Sequence, residues 1–103
     1  MMPIDNPALK RFRAALDQAY GSRIERVVLF GARDLDAWAE ADFEVAVFLR
    51  GLTDRWRELD CLADIGSMIL EETGKWIHAM AYAAGSWHDP TPRMHEIRQG
   101  VDL

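Results

Sequence analysis

VVLFGARDLDAWAEADFEVAVFL, residues 27–49, sets two β-rich apolar runs on either side of a polar loop. The second run opens on Asp42 and Glu44, two acids spaced by one residue. Side chains at i and i+2 of a strand point the same way, so the two carboxylates are expected side by side at a strand start, facing the turn that carries Gly31. Like charges held that close repel one another without a cation. Hard oxygen ligands of this kind suit Mg²⁺ or Mn²⁺, which commonly bridge to substrate phosphates.

Outward from this hairpin, Asp5-Asn6-Pro7 offers a cap followed by proline at a first helical position. Leu9, Phe12, Leu16 and Ala19 then recur at helical spacing up to Gly21. Ile24 to Phe30 and Phe43 to Leu49 lack clean alternation, which predicts neighbouring central strands covered on both faces. Thr53 and Asp54 open a long amphipathic helix in which Trp56, Leu59, Ala63 and Leu70 are expected to mark one face, with Gly74 as the stop. Lys75 to Tyr82 reads as a third strand, Gly85 to Pro92 as a turn-rich connection, and Met94 to Gln99 as a short helix closed by Gly100. The expected order is αββαβα, an α+β class with a small mixed sheet and helices packed on it.

With 103 residues and 50% hydrophobic content, the chain suffices for one domain and is too short for two. A formal charge of −5 argues against an electrostatic grip on nucleic acid, which needs clustered Lys and Arg. No apolar stretch approaches the roughly 20 residues needed to span a membrane. The lone Cys61 has no internal disulfide partner, and no early apolar run with a basic flank suggests secretion, so a cytoplasmic location is expected.

The order strand, Gly31-Ala32, loop Arg33 to Ala41, then Asp42-Phe43-Glu44-Val45 resembles the minimal nucleotidyltransferases of the polymerase-beta superfamily. Their pattern is a hydrophobic strand, Gly-Ser or Gly-Gly, a loop, and acid-hydrophobic-acid-hydrophobic. Val28-Leu29-Phe30-Gly31 and Val45-Ala46-Val47-Phe48 are similar to the family's strands, and Ile97 to Val101 to its closing helix and tail. The resemblance implies a nucleotidyltransferase fold. It also implies Mg²⁺ or Mn²⁺ on Asp42 and Glu44, a nucleoside triphosphate held by the backbone at Gly31 and Ala32, and Arg33 neutralising phosphate charge. The reaction implied is transfer of a nucleoside monophosphate to a hydroxyl. Small stand-alone members of the family act as antitoxins on a helical toxin of the type called HEPN, which makes such a toxin, or another copy of this chain, the implied partner.

The chain departs from the pattern in three ways. Ala32 stands where the family has Ser. No acid lies in Lys75 to Tyr82, where a third carboxylate is expected, and His78 is the residue there that could act as base or ligand. The loop carries Asp34, Asp36 and Glu40 against Arg33 alone, a charge that repels a polyphosphate. These departures suit the alternative of a binding module that keeps the fold without turnover.

Plainer readings stand beside the functional ones. Asp42 and Glu44 by themselves are also what a solvated strand start looks like, and His78 reads more readily as a strand histidine with a local hydrogen bond than as a catalytic base. Arg33 either binds phosphate or pairs with its acidic loop neighbours. Trp38 either covers a base or docks on a partner, whereas Trp76 and Trp87 read as packing residues. Cys61 has no evident base and reads as filler. His88 and His95 lack ligand spacing with any acid pair, so no zinc site is expected.

Overall fold

Asn6 accepts a hydrogen bond from the Ala8 amide at 2.8 Å and Pro7 follows it, so α1 (Pro7–Tyr20) starts where the cap places it. It ends at Gly21, whose φ of 55° a residue with a side chain would resist. This computed structural model describes residues 6–32 and 43–103. A 3₁₀ turn (Gly21–Arg23) leads into β1 (Ile24–Ala32), which pairs antiparallel with β2 (Phe43–Leu49). Beyond β2, α2 (Arg55–Thr73) is capped by the Asp54 carboxylate, which accepts from the Arg57 amide at 3.2 Å, and closed by Gly74 in the left-handed conformation.

The crossover through α2 makes β3 (Ile77–Ala83) parallel to β2, with Glu44 opposite His78 and Val47 opposite Ala81. A 3₁₀ turn (Ser86–His88) and α3 (Pro92–Arg98) bring the chain back to β4 (Val101–Asp102), antiparallel to β1. The sheet is mixed and runs β3-β2-β1-β4, with the first hairpin at its centre. The class is α+β, as the sequence predicts. The fourth strand is a difference: residues read as a tail form a two-residue edge, held where Leu103 donates its amide to the Val27 carbonyl at 2.9 Å.

Alternation splits the strands between two cores. Val27, Leu29, Val45, Val47 and Ile77 face α1 and α2, where Phe12, Leu16, Leu62 and Ile69 meet them. Val28, Ala46 and Phe48 face the other way, onto Met94 and Ile97 of α3 and the flank of Trp87. The central strands are thus covered on both faces.

The inward face of α2 is not the expected one. Leu62, Gly66 and Ile69 are buried, whereas Trp56 is 79% exposed, Leu70 is 45% exposed and Ala63 is exposed. Two apolar stripes run along this helix, and the one with a glycine wins the sheet because Gly66 lets the helix backbone come close to the Ile77 carbonyl. A Cβ there would lie 3.1 Å from that oxygen. The losing stripe, Trp56-Ala63-Leu70, is left on the surface.

Candidate functional site

Of the residues singled out in the sequence, Gly31, Glu44 and His78 fall at one end of the sheet, on the face opposite α1 and α2. Gly31 sits across from Glu44 in the β1–β2 ladder, just past an irregularity in register between Leu29 and Gly31. A Cβ on Gly31 would lie 2.7 Å from Glu44 Oε2 and 3.2 Å from its Cβ. The missing side chain of Gly31 is therefore the space in which the Glu44 carboxylate lies. Glu44 is half-buried, and among the described residues it has no hydrogen-bond or ion-pair partner. Among the described residues, the polar residue set opposite it on the neighbouring strand is His78, brought alongside by the parallel register. Neighbouring strands lie about 4.8 Å apart, and paired residues share a face.

His78 is exposed and stands two residues from Trp76 on the same strand edge, with the rings 6.5 Å apart between centroids. Ala32 closes β1 opposite Phe43. Arg33 and Asp42 lie outside the described residues, as do the acidic loop residues and Trp38. Of the expected site, the fold brings Gly31, Glu44 and His78 together.

No family model, curated protein or solved structure matches this chain. The chemistry must therefore be read from the donor set. A lone carboxylate tucked against a glycine, with an open imidazole beside it, falls short of the donors that a divalent-cation site needs. Among the described residues no three His, Cys, Asp or Glu side chains gather to hold a metal. By chemistry alone, a carboxylate with an imidazole suits Mn²⁺ better than Mg²⁺, because Mg²⁺ prefers oxygen throughout while an imidazole suits transition metals. The β3 residues on the same face as His78 are Met80 and Tyr82, so no second described carboxylate joins Glu44 from that strand.

The remaining candidates take structural places. Trp87 packs on the second core with the Arg26 guanidinium 4.2 Å from its ring centroid. Trp76 is 42% exposed, more than a packing residue requires. Cys61 is half-buried against the α1–α2 core, beside a cavity of about 370 Å³ lined by Tyr20, Arg23 and Glu58. The Tyr20 hydroxyl is buried there without a hydrogen-bond partner. Burial first, then the nearby Cys61 and Glu58, pushes its ionisation upward, so the phenol stays protonated. The Arg23–Glu58 ion pair at 3.2 Å closes one side of this cavity.

Sequence reasoning missed the exposure of the α2 stripe and of Trp76. The signal was present: Trp56, Ala63 and Leu70 repeat every seven residues in competition with Leu62, Gly66 and Ile69, and only the glycine distinguishes the two.

Proposed function

We propose that this chain is a nucleotidyltransferase-like domain that binds a nucleoside triphosphate with a divalent cation at the Gly31–Glu44 end of its sheet. The observation that carries the reading is the Glu44 carboxylate lying in the space that a side chain at position 31 would fill. A half-buried acid kept beside a glycine has a use when a cation and phosphate oxygens complete its surroundings. In this reading Asp42 and Glu44 hold Mg²⁺ or Mn²⁺, backbone amides at Gly31 and Ala32 receive phosphate oxygens, and Arg33 neutralises charge. The cation, when bound, stabilises charge developing on the phosphate and aligns it with an attacking hydroxyl. In the same reading His78, exposed and opposite Glu44 in the register, accepts the proton of that hydroxyl. The acceptor is a hydroxyl on a partner, by resemblance a HEPN-type toxin for which this chain is the antitoxin in the cytoplasm.

A second reading rests on His78. An imidazole at the β3 position beside Glu44 brings no negative charge to hold a second cation, which favours nucleotide or partner binding without turnover.

Calorimetric titration of ATP, GTP, CTP and UTP in the presence of Mg²⁺ or Mn²⁺ tests the proposal. Binding is expected for at least one nucleotide, only with the cation, and is expected to vanish in Asp42→Ala. Absence of binding at millimolar nucleotide, or equal binding by Asp42→Ala, would contradict it. Pyrophosphate release by a binding-competent protein, with the partner present, separates the two readings: release favours transfer, and its absence favours the binding module.

A further inference from the structure

We propose that the cavity between the end of α1 and the first turn of α2 binds a small zwitterion of the free amino acid class, with its ammonium between Glu58 and Tyr20 and its carboxylate on Arg57. The cavity has about 370 Å³, at the small end of the range that holds ligands. It lies by Gly51, just past the end of β2, whereas Glu44 stands near the start of that strand. The site is therefore independent of the nucleotide reading and shares none of Gly31, Glu44 and His78 with it.

The floor of the cavity carries the observation that calls for an occupant. Tyr20 is 8% exposed, and its hydroxyl is buried without a hydrogen-bond partner. Cys61 and Glu58 stand near it without meeting hydrogen-bond geometry, and the phenol stays protonated, so it offers both a proton and a lone pair. A buried hydroxyl is costly to leave unpaired. The α1–α2 core needs only the ring of Tyr20, a place that phenylalanine would fill as well.

Charge then selects the class of ligand. Among the described residues, two bases and two acids line the cavity: Arg23, Arg57, Asp54 and Glu58. Arg23 is engaged, donating to the Arg50 carbonyl at 3.1 Å and to Glu58 Oε1 at 3.2 Å. Asp54 is engaged by the helix it caps. The Arg57 guanidinium and the second oxygen of Glu58 are left without a partner among the described residues. A lone anion would meet Asp54 and Glu58, a lone cation would meet Arg23 and Arg57, and an apolar ligand would strand all of them. A molecule that carries both charges a few bonds apart avoids each of these penalties. Its ammonium belongs on the floor, because the Glu58 side chain is 12% exposed whereas Arg57 is exposed at the mouth. There the Tyr20 oxygen accepts a second ammonium proton. The carboxylate falls to Arg57, where the positive end of α2 adds to the guanidinium.

Calorimetric titration of the common amino acids into the full chain tests the proposal, each at about 10 mM, tenfold above a millimolar dissociation constant. At least one is expected to bind. Its N-acetyl and carboxamide forms, which keep one charge each, are expected to bind weaker by about tenfold or more. Tyr20→Phe is expected to melt no lower than the wild type, since it removes an unpaired buried hydroxyl, and to bind about tenfold more weakly. Arg57→Ala, at an exposed position, is expected to weaken binding by a similar factor. No binding by any amino acid would overturn the proposal and leave the cavity to water. So would equal binding of the forms with one charge, or unchanged binding by Tyr20→Phe. A Tyr20→Phe protein that melts well below the wild type would show the hydroxyl to be held by the fold, and would overturn it as well.

Discussion

Phe48→Ala is expected to lower stability by about 3–5 kcal/mol, enough to leave the domain partly unfolded at physiological temperature. Phe48 is wholly buried on central strand β2, on the face that α3 covers, and stacks on Tyr82 with ring centroids 5.4 Å apart. The core on that face is the smaller of the two, and its other buried members are Val28, Ala46, Met94 and Ile97. Removing the ring takes away the floor of α3 and leaves a cavity between sheet and helix that a seven-residue helix with few other anchors cannot close without moving. Urea denaturation followed by circular dichroism measures the loss. A cost under 1 kcal/mol would mean that α3 is not seated on Phe48.

Gly100→Ala is expected to cost about 3 kcal/mol, at the upper end for overpacking, although it adds a single methyl group. The added Cβ would overlap the Leu29 carbonyl oxygen and come within 2.8 Å of Val28 Cγ1. A flexible side chain could move aside; a carbonyl in the central strand β1 cannot. Gly100 also donates to the Ile97 carbonyl at 2.9 Å as α3 ends, and the next residue, Val101, pairs with Leu29. The strain therefore falls on β4. The expected signature is loss of hydrogen-exchange protection at the Leu103 amide, which bonds to Val27, before any change in β2. Unchanged protection at Leu103 would contradict the close approach.

These two residues also mark what the sequence makes legible. The first hairpin and the caps of α1 and α2 can be read from local chemistry, because proline, Asp54 and Gly74 act on their own neighbours whatever the rest of the chain does. The choice between the two stripes of α2 is not local. It depends on how near the helix comes to Ile77, which Gly66 decides only once β3 is in place. Nor does β4 carry a signal, since two residues are too few for a period and their pairing is imposed by α3 and Gly100. At the site, the facing of Gly31 and Glu44 follows from the irregularity between Leu29 and Gly31, without which alternation would set Phe30 opposite Glu44. His78 could be picked out as the sole candidate in its run, while its place beside Glu44 depends on the parallel register set by the α2 crossover.

The same contrast explains why the surface carries Trp56, Leu70 and Trp76. Hydrophobic periodicity reports that a face will be covered and is silent on what covers it. In α2 one stripe meets the sheet, and the other lies on the surface.

The central claim is that Glu44 is kept for a cation and not for the fold, and the melting temperature of Glu44→Gln tests it most directly. Binding that favours the folded state contributes about 2.7 kcal/mol at a hundredfold excess over the dissociation constant, or roughly 10–20 °C for a domain of this size. The wild type is expected to rise by that order with Mg²⁺ or Mn²⁺ and its preferred nucleotide. Glu44→Gln is expected to melt no lower than wild type without cation, since it removes a half-buried charge that has no described partner, and to show no rise with cation and nucleotide. A variant that melts lower in the absence of ligand, yet keeps the full ligand-dependent rise, would contradict the account.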